Sequence, residues 1–170
     1  MKKLILLATI VFTNSIYFNT NAQPYSLFYL ITMNENMKTG ERIFIENADK
    51  CLAIIEEAAQ KMSVKGVAVI AFIPGDTTES WISKMKVVGI ITNGSSNYLA
   101  VAYSKASEMA ETYKNSGCGV REPMKGEFGF QGGVLKEVKS GYILAVFSGA
   151  TGEQDVELAN EGIDWLYKHY

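Results

Sequence analysis

Ser148-Gly149-Ala150-Thr151-Gly152-Glu153-Gln154-Asp155, preceded by the apolar run Tyr142-Ile143-Leu144-Ala145-Val146-Phe147, is the stretch that decides the fold. The run is of strand length and rich in aromatic and β-branched residues. Thr151 and Gln154 stand at capping-box spacing: the Thr151 hydroxyl accepts from the backbone three residues on, and Gln154 reaches back. Glu153 and Asp155 fall in the first helical turn, where the helix dipole favours negative charge. Val156, Ala159, Ile163, Leu166, Tyr167 and Tyr170 then recur at helical spacing. Strand, small-residue turn and capped helix follow directly. Immediately upstream, Gln131-Gly132-Gly133-Val134 opens a half-polar strand through Val138, and Lys139-Ser140-Gly141 makes a tight hairpin into the apolar run.

Working outward, the spacing of Ala48, Leu52, Ile55, Ala59 and Met62 predicts a helix from about Glu46. Val67 to Ile73 reads as a strand apolar on both faces, and Pro74-Gly75-Asp76 turns the chain. A second strand is expected between Trp81 and Ile91. Ser96 or Asn97 caps the next helix, which turns Leu99, Ala102, Ala106, Met109 or Ala110, and Tyr113 inward. An irregular segment from Asn115 leads back to Phe128-Gly129-Phe130 and the glycine pair. Residues 23–40 read as an N-terminal arm or edge strand, because Tyr25 to Met33 is apolar and aromatic and Asn34-Glu35-Asn36 breaks it.

Met1-Lys2-Lys3, the apolar Leu4 to Phe12 and Thr20-Asn21-Ala22 have the layout of a secretory signal cut near Ala22. No cysteine follows that site, which argues against a lipoprotein anchor, and no run is long enough to span a membrane. The expected product is exported, periplasmic or extracellular, with residues 41–170 forming one domain. Cleavage removes two of 16 basic residues and none of 18 acidic ones, so the formal net charge moves from −2 to −4. Mild acidity without a basic cluster excludes a nucleic-acid surface. Cys51 and Cys118 are read as free thiols rather than a bridge, since a domain this large needs no staple.

Hairpin connections with interspersed helices give an α+β class with a mainly antiparallel sheet. Three strands lack the alternation expected of a solvated face, so either helices cover both faces or a partner subunit covers one. Homo-oligomerisation is the alternative favoured on this pattern.

With these residues in view, the chain resembles the GlcG/HbpS-like (haem-degrading domain) family. The resemblance runs from about Ile43 to Leu166 and rests on Ala48, Leu52 and Ala58-Ala59, on Lys105-Ala106, on Gly132-Gly133-Val134, and above all on Ser148 to Asp155. It implies a five-stranded mainly antiparallel sheet flanked by helices, a profilin- or PAS-like layered sandwich. It also implies oligomers, and for exported members haem (tetrapyrrole) binding linked to haem degradation or iron handling. Leu135 departs from the family, which commonly has proline there.

The candidate ligand-binding residues are Lys105, Gly132, Gly133, Gly149, Thr151, Gly152, Glu153, Gln154 and Asp155, with His169 as the candidate metal ligand. Each has a plainer alternative. His169, the sole histidine, sits next to the C-terminus, where side chains are commonly solvated. Gly149 to Gly152 can present N–H groups to an anion, or simply permit a tight turn. Lys105 can face such a ligand or be solvated, and Gly132-Gly133 can be a bulge. Met62 and Met109 read as core, while Tyr98 and Met124 are uncommitted. No Ser-His-Asp constellation, P-loop or dinucleotide fingerprint is present. The function expected is therefore haem binding, with a non-catalytic oligomeric structural or sensory role, or a small-carboxylate module, as alternatives.

Overall fold

The computed structural model describes residues 26–170, so the leader and its cleavage near Ala22 lie outside the described residues. The elements run α1 (Leu27–Lys61), β1 (Gly66–Pro74), β2 (Ile82–Val88), α2 (Tyr98–Thr112), β3 (Gly133–Val138), β4 (Gly141–Ser148) and α3 (Gly152–Tyr167). The sheet has the order β2-β1-β4-β3, antiparallel throughout. It contains four strands, not the five that the family resemblance implied. Between α2 and β3 the chain stays irregular. Gly117, Gly119, Gly126 and Gly129 all take positive φ there, and Pro123 lacks an N–H donor, so no strand ladder can run through it.

Alternation along the two central strands explains their unbroken burial. Ala68, Ile70, Phe72, Ile143, Ala145 and Phe147 face α1 and α3, whereas Val67, Val69, Ala71, Ile73, Leu144 and Val146 face α2. Helices of this same chain thus cover both faces of β1 and β4, the first of the two alternatives above. The lysines of the edge strand β2 reach α1: Lys84 pairs with Asp49 at 2.6 Å and Lys86 with Glu56 at 3.1 Å.

The helix expected from Glu46 begins at Leu27, so the boundary expected at residue 40 falls inside α1. Met33, Met37, Gly40, Phe44, Ala48, Cys51, Ile55 and Ala59 continue one buried or half-buried stripe at helical spacing. Asn34 and Glu35 sit on the exposed side of that helix rather than ending a strand. Gly40 is required where α1 crosses the sheet, because a Cβ there would collide with Ser140 and the Phe72 ring. Tyr170 locks the crossing: its hydroxyl donates to the Gly40 carbonyl at 2.9 Å and its ring stacks on Phe72 at 5.8 Å.

The capping box is formed as the sequence dictates, with Gln154 N–H donating to Thr151 Oγ1 at 3.3 Å. Asn97 caps α2, accepting from Ala100 N–H at 3.1 Å. Ala102, Ala106 and Ala110 bring α2 close to the sheet, and that closeness carries Lys105 to the end of β4. Both cysteines are free, Cys51 buried and Cys118 exposed. No helix among the described residues is long and apolar enough to cross a membrane.

Candidate functional site

The end of β4, the turn into α3 and the middle of α2 meet around one buried ion pair. Lys105 Nζ donates to Asp155 Oδ2 at 2.7 Å and to the Phe147 carbonyl at 2.8 Å. Both residues are only 3% exposed, so this is a desolvated pair and not a surface contact. Asp155 Oδ1 accepts from Ala150 N–H at 3.0 Å, which ties the carboxylate to the turn before its own helix. Burial draws the Lys105 ammonium below the usual lysine range, and mutual attraction offsets part of that; burial likewise pushes the Asp155 carboxyl up.

Two glycines make the arrangement sterically feasible. Gly132 has φ 131°, and a Cβ there would fall on Lys105 Nζ and on Asp155. Gly149 has φ 153°, and a Cβ would strike the Lys65 carbonyl at the start of β1. Gly133 lies deeper, its N–H donating to Ser116 Oγ at 2.9 Å and its α-carbon against Met109.

Above the pair opens a cleft of about 580 Å³, within the range that encloses small organic ligands. Lys105, Asp155, Gly149, Gly152 and Glu153 line it, so five of the sequence candidates converge there. Gly132 stands directly behind Lys105. Thr151 and Gln154 serve the capping box beside it. His169 does not join them. Its ring lies tilted against Trp165, centroids 4.2 Å apart, at the far end of α3, and 16 helical residues place that end about 24 Å from the cleft.

The rest of the wall was not singled out from the sequence. Tyr98 and Val101 of α2, and Phe130 and Gln131 of the irregular segment, also line the cleft, as do Asn93 and Ser96 of the loop before α2. That segment is strapped to α2 at three points. Phe128 N–H donates to Ser104 Oγ at 3.0 Å, and Gly117 N–H donates to Glu108 Oε1 at 2.9 Å. Arg121 bridges Glu111 and Glu127, each at 2.7 Å. The straps hold the stacked Phe128 and Phe130 rings, 5.5 Å apart and about half exposed, with Phe130 against the cleft.

Chemically the cleft combines two aromatic side chains, Tyr98 and Phe130, with one amine, two carboxylates and the polar Asn93, Ser96 and Gln131. At the start of α3 the Gln154 and Asp155 amides donate to Thr151, and the Ala150 amide before it donates to Asp155. Glu153 adds a charge that disfavours an anion. Among the lining residues, Tyr98 alone is of a type that ligates haem iron. Among the described residues no cluster of three His, Cys, Asp or Glu could hold a metal ion.

No family model matches the sequence, and no curated protein does. The fold is similar to that of Klebsiella pneumoniae protein ORFY, of the family DUF336, with a TM-score of 0.50 and 14% identity over 89% of this chain and 97% of that one. The Ybr137w protein is also similar, at a TM-score of 0.46 and 16% identity over 84% and 94% of the two chains. What the chain shares with ORFY at such identity is the α+β fold.

Proposed function

We propose that this protein is an exported binding domain of the GlcG/HbpS type whose cleft takes a planar tetrapyrrole such as haem. One observation carries the reading: positions far apart in sequence on which the resemblance rests, Lys105, Gly132 and the Gly149–Asp155 turn, meet at a single cleft with aromatic walls. Phe130 and Tyr98 supply flat apolar surface for a ring system. Tyr98 is the side chain that would hold the iron, and the group, when bound, would supply redox chemistry there. Glu153 at the mouth turns ligand carboxylates outward to solvent, and Lys105 stays with Asp155. Copies of the chain associate in this reading, as the resemblance implies.

Titrating the leaderless protein with hemin should give a saturable, shifted Soret band. Phe130→Ala should weaken binding by roughly 2- to 10-fold, the worth of one aromatic contact. Tyr98→Phe should alter the spectrum of the complex, and His169→Ala should leave it unchanged. Absence of any shift at micromolar hemin overturns the reading.

A further inference from the structure

We propose that Lys105 is a nucleophilic amine that forms a reversible imine with a neutral aromatic aldehyde or ketone bound in the cleft. The inference shares the cleft with the tetrapyrrole reading but does not depend on it.

Lys105 is the single lysine among the residues lining the cleft and is only 3% exposed, so a ligand in the cleft lies beside a desolvated amine side chain. Its position is built. Gly132 leaves the space its ammonium fills, and Asp155 Oδ2 and the Phe147 carbonyl fix the nitrogen from two sides at 2.7 and 2.8 Å. Desolvation favours the neutral amine, the form that attacks a carbonyl. An ion pair serving only to join α2 to α3 has no need to line a cleft, and both Lys105 and Asp155 do. The substrate class follows from the other walls: Phe130, Tyr98 and Val101 suit an aromatic ring, and Glu153 repels a carboxylate.

The step closes without a cofactor. Asp155 takes one proton from the Lys105 ammonium, and the freed lone pair attacks the carbonyl carbon as the C=O π pair moves onto oxygen. A nitrogen proton transfers to that oxygen, giving the neutral carbinolamine. Asp155 then returns its proton to the hydroxyl, which leaves as water while the nitrogen lone pair forms the C=N bond. The iminium carries the charge the ammonium began with, and Asp155 ends as carboxylate. Hydrolysis reverses the sequence.

The test exposes the full leaderless chain to 4-methoxybenzaldehyde with cyanoborohydride and maps the benzylated lysines by peptide mass spectrometry. The expected result is an adduct on Lys105 forming at least tenfold faster than on the exposed Lys50 or Lys125. Asp155→Asn should slow the Lys105 adduct about tenfold while leaving the exposed lysines unchanged. A wild-type Lys105 labelled no faster than Lys50 overturns the proposal, whether or not the variant folds. Hemin titration of the same wild-type sample separates the two readings: a Soret shift without the adduct strikes the imine alone, and the adduct without a shift strikes the tetrapyrrole alone.

Discussion

Against the α1/α3 face of the sheet the buried hydrophobic cluster runs from Phe44 and Ile55 to Phe72, Leu158 and Leu166, whereas α2 carries Ser104, Lys105 and Glu108 into buried positions on the other side, where Asp155 from the first turn of α3 meets Lys105. The α2 cluster is thinner, three alanines and Met109 against β1 and β4. Burying charge costs free energy that an apolar side chain at the same place would not. The first face therefore accounts for the fold and the second for what the fold holds. Glu108 repeats the pattern, since its Oε2 is buried without a hydrogen-bond partner among the described residues.

The sharpest way to break this comparison is to truncate one residue on each side. Phe72→Ala should cost about 3–5 kcal/mol in denaturant melts, and no second substitution should restore it, because what is lost is packing. Lys105→Met should cost about 3–5 kcal/mol as well, by leaving Asp155 buried without its partner. Here Asp155→Leu in the same chain should recover most of the loss. A double variant as unstable as Lys105→Met would mean the pair supports the fold in some further way.

A smaller effect sharpens the boundary between the faces. Thr151→Ala removes the cap at the turn that serves both, and should lower stability by about 1 kcal/mol. An unchanged midpoint would contradict the capped start of α3.

The mildest perturbation is acid. Arg121 and the Met124 N–H hold the Glu127 carboxyl down at about 2, below the ordinary value of about 4.3. A depressed carboxyl contributes stability that is fully present above the ordinary value and is lost as pH falls toward about 2. Pepsin nicking between residues 117 and 131 should therefore increase between about pH 4 and pH 2, before far-UV circular dichroism reports loss of α1 and α3. Arg121→Met should be nicked readily already at pH 4.

How much of this was legible in the sequence depended on how far apart the cooperating residues lie. The capping box, the hairpin and the apolar strand are local patterns, and the chain forms them where the residues say. The N-terminal half of α1 was misread because Tyr25 to Met33 has strand-like composition, and its helical stripe shows only once Gly40 is recognised as a crossing point. The fifth strand came from the resemblance, while the positive-φ glycines of this chain's irregular segment prevent it. Lys105 and Asp155 were candidates, yet nothing local pairs residues 50 apart, and Asp155 read equally well as a dipole-favoured surface acid. Tyr98 stayed uncommitted and Phe130 was not a candidate, because an aromatic side chain in a loop or first helical turn becomes a wall only when tertiary contacts place it.

The most direct measurement records the backbone amide spectrum of the isotope-labelled protein during titration with hemin, whose iron broadens nearby resonances. The account predicts early, selective broadening at Lys105, Gly132, Phe130, Gly149 and Gly152, with Trp165 and His169 untouched. Broadening centred on Trp165 and His169, with the Lys105–Asp155 cleft unaffected, would contradict it.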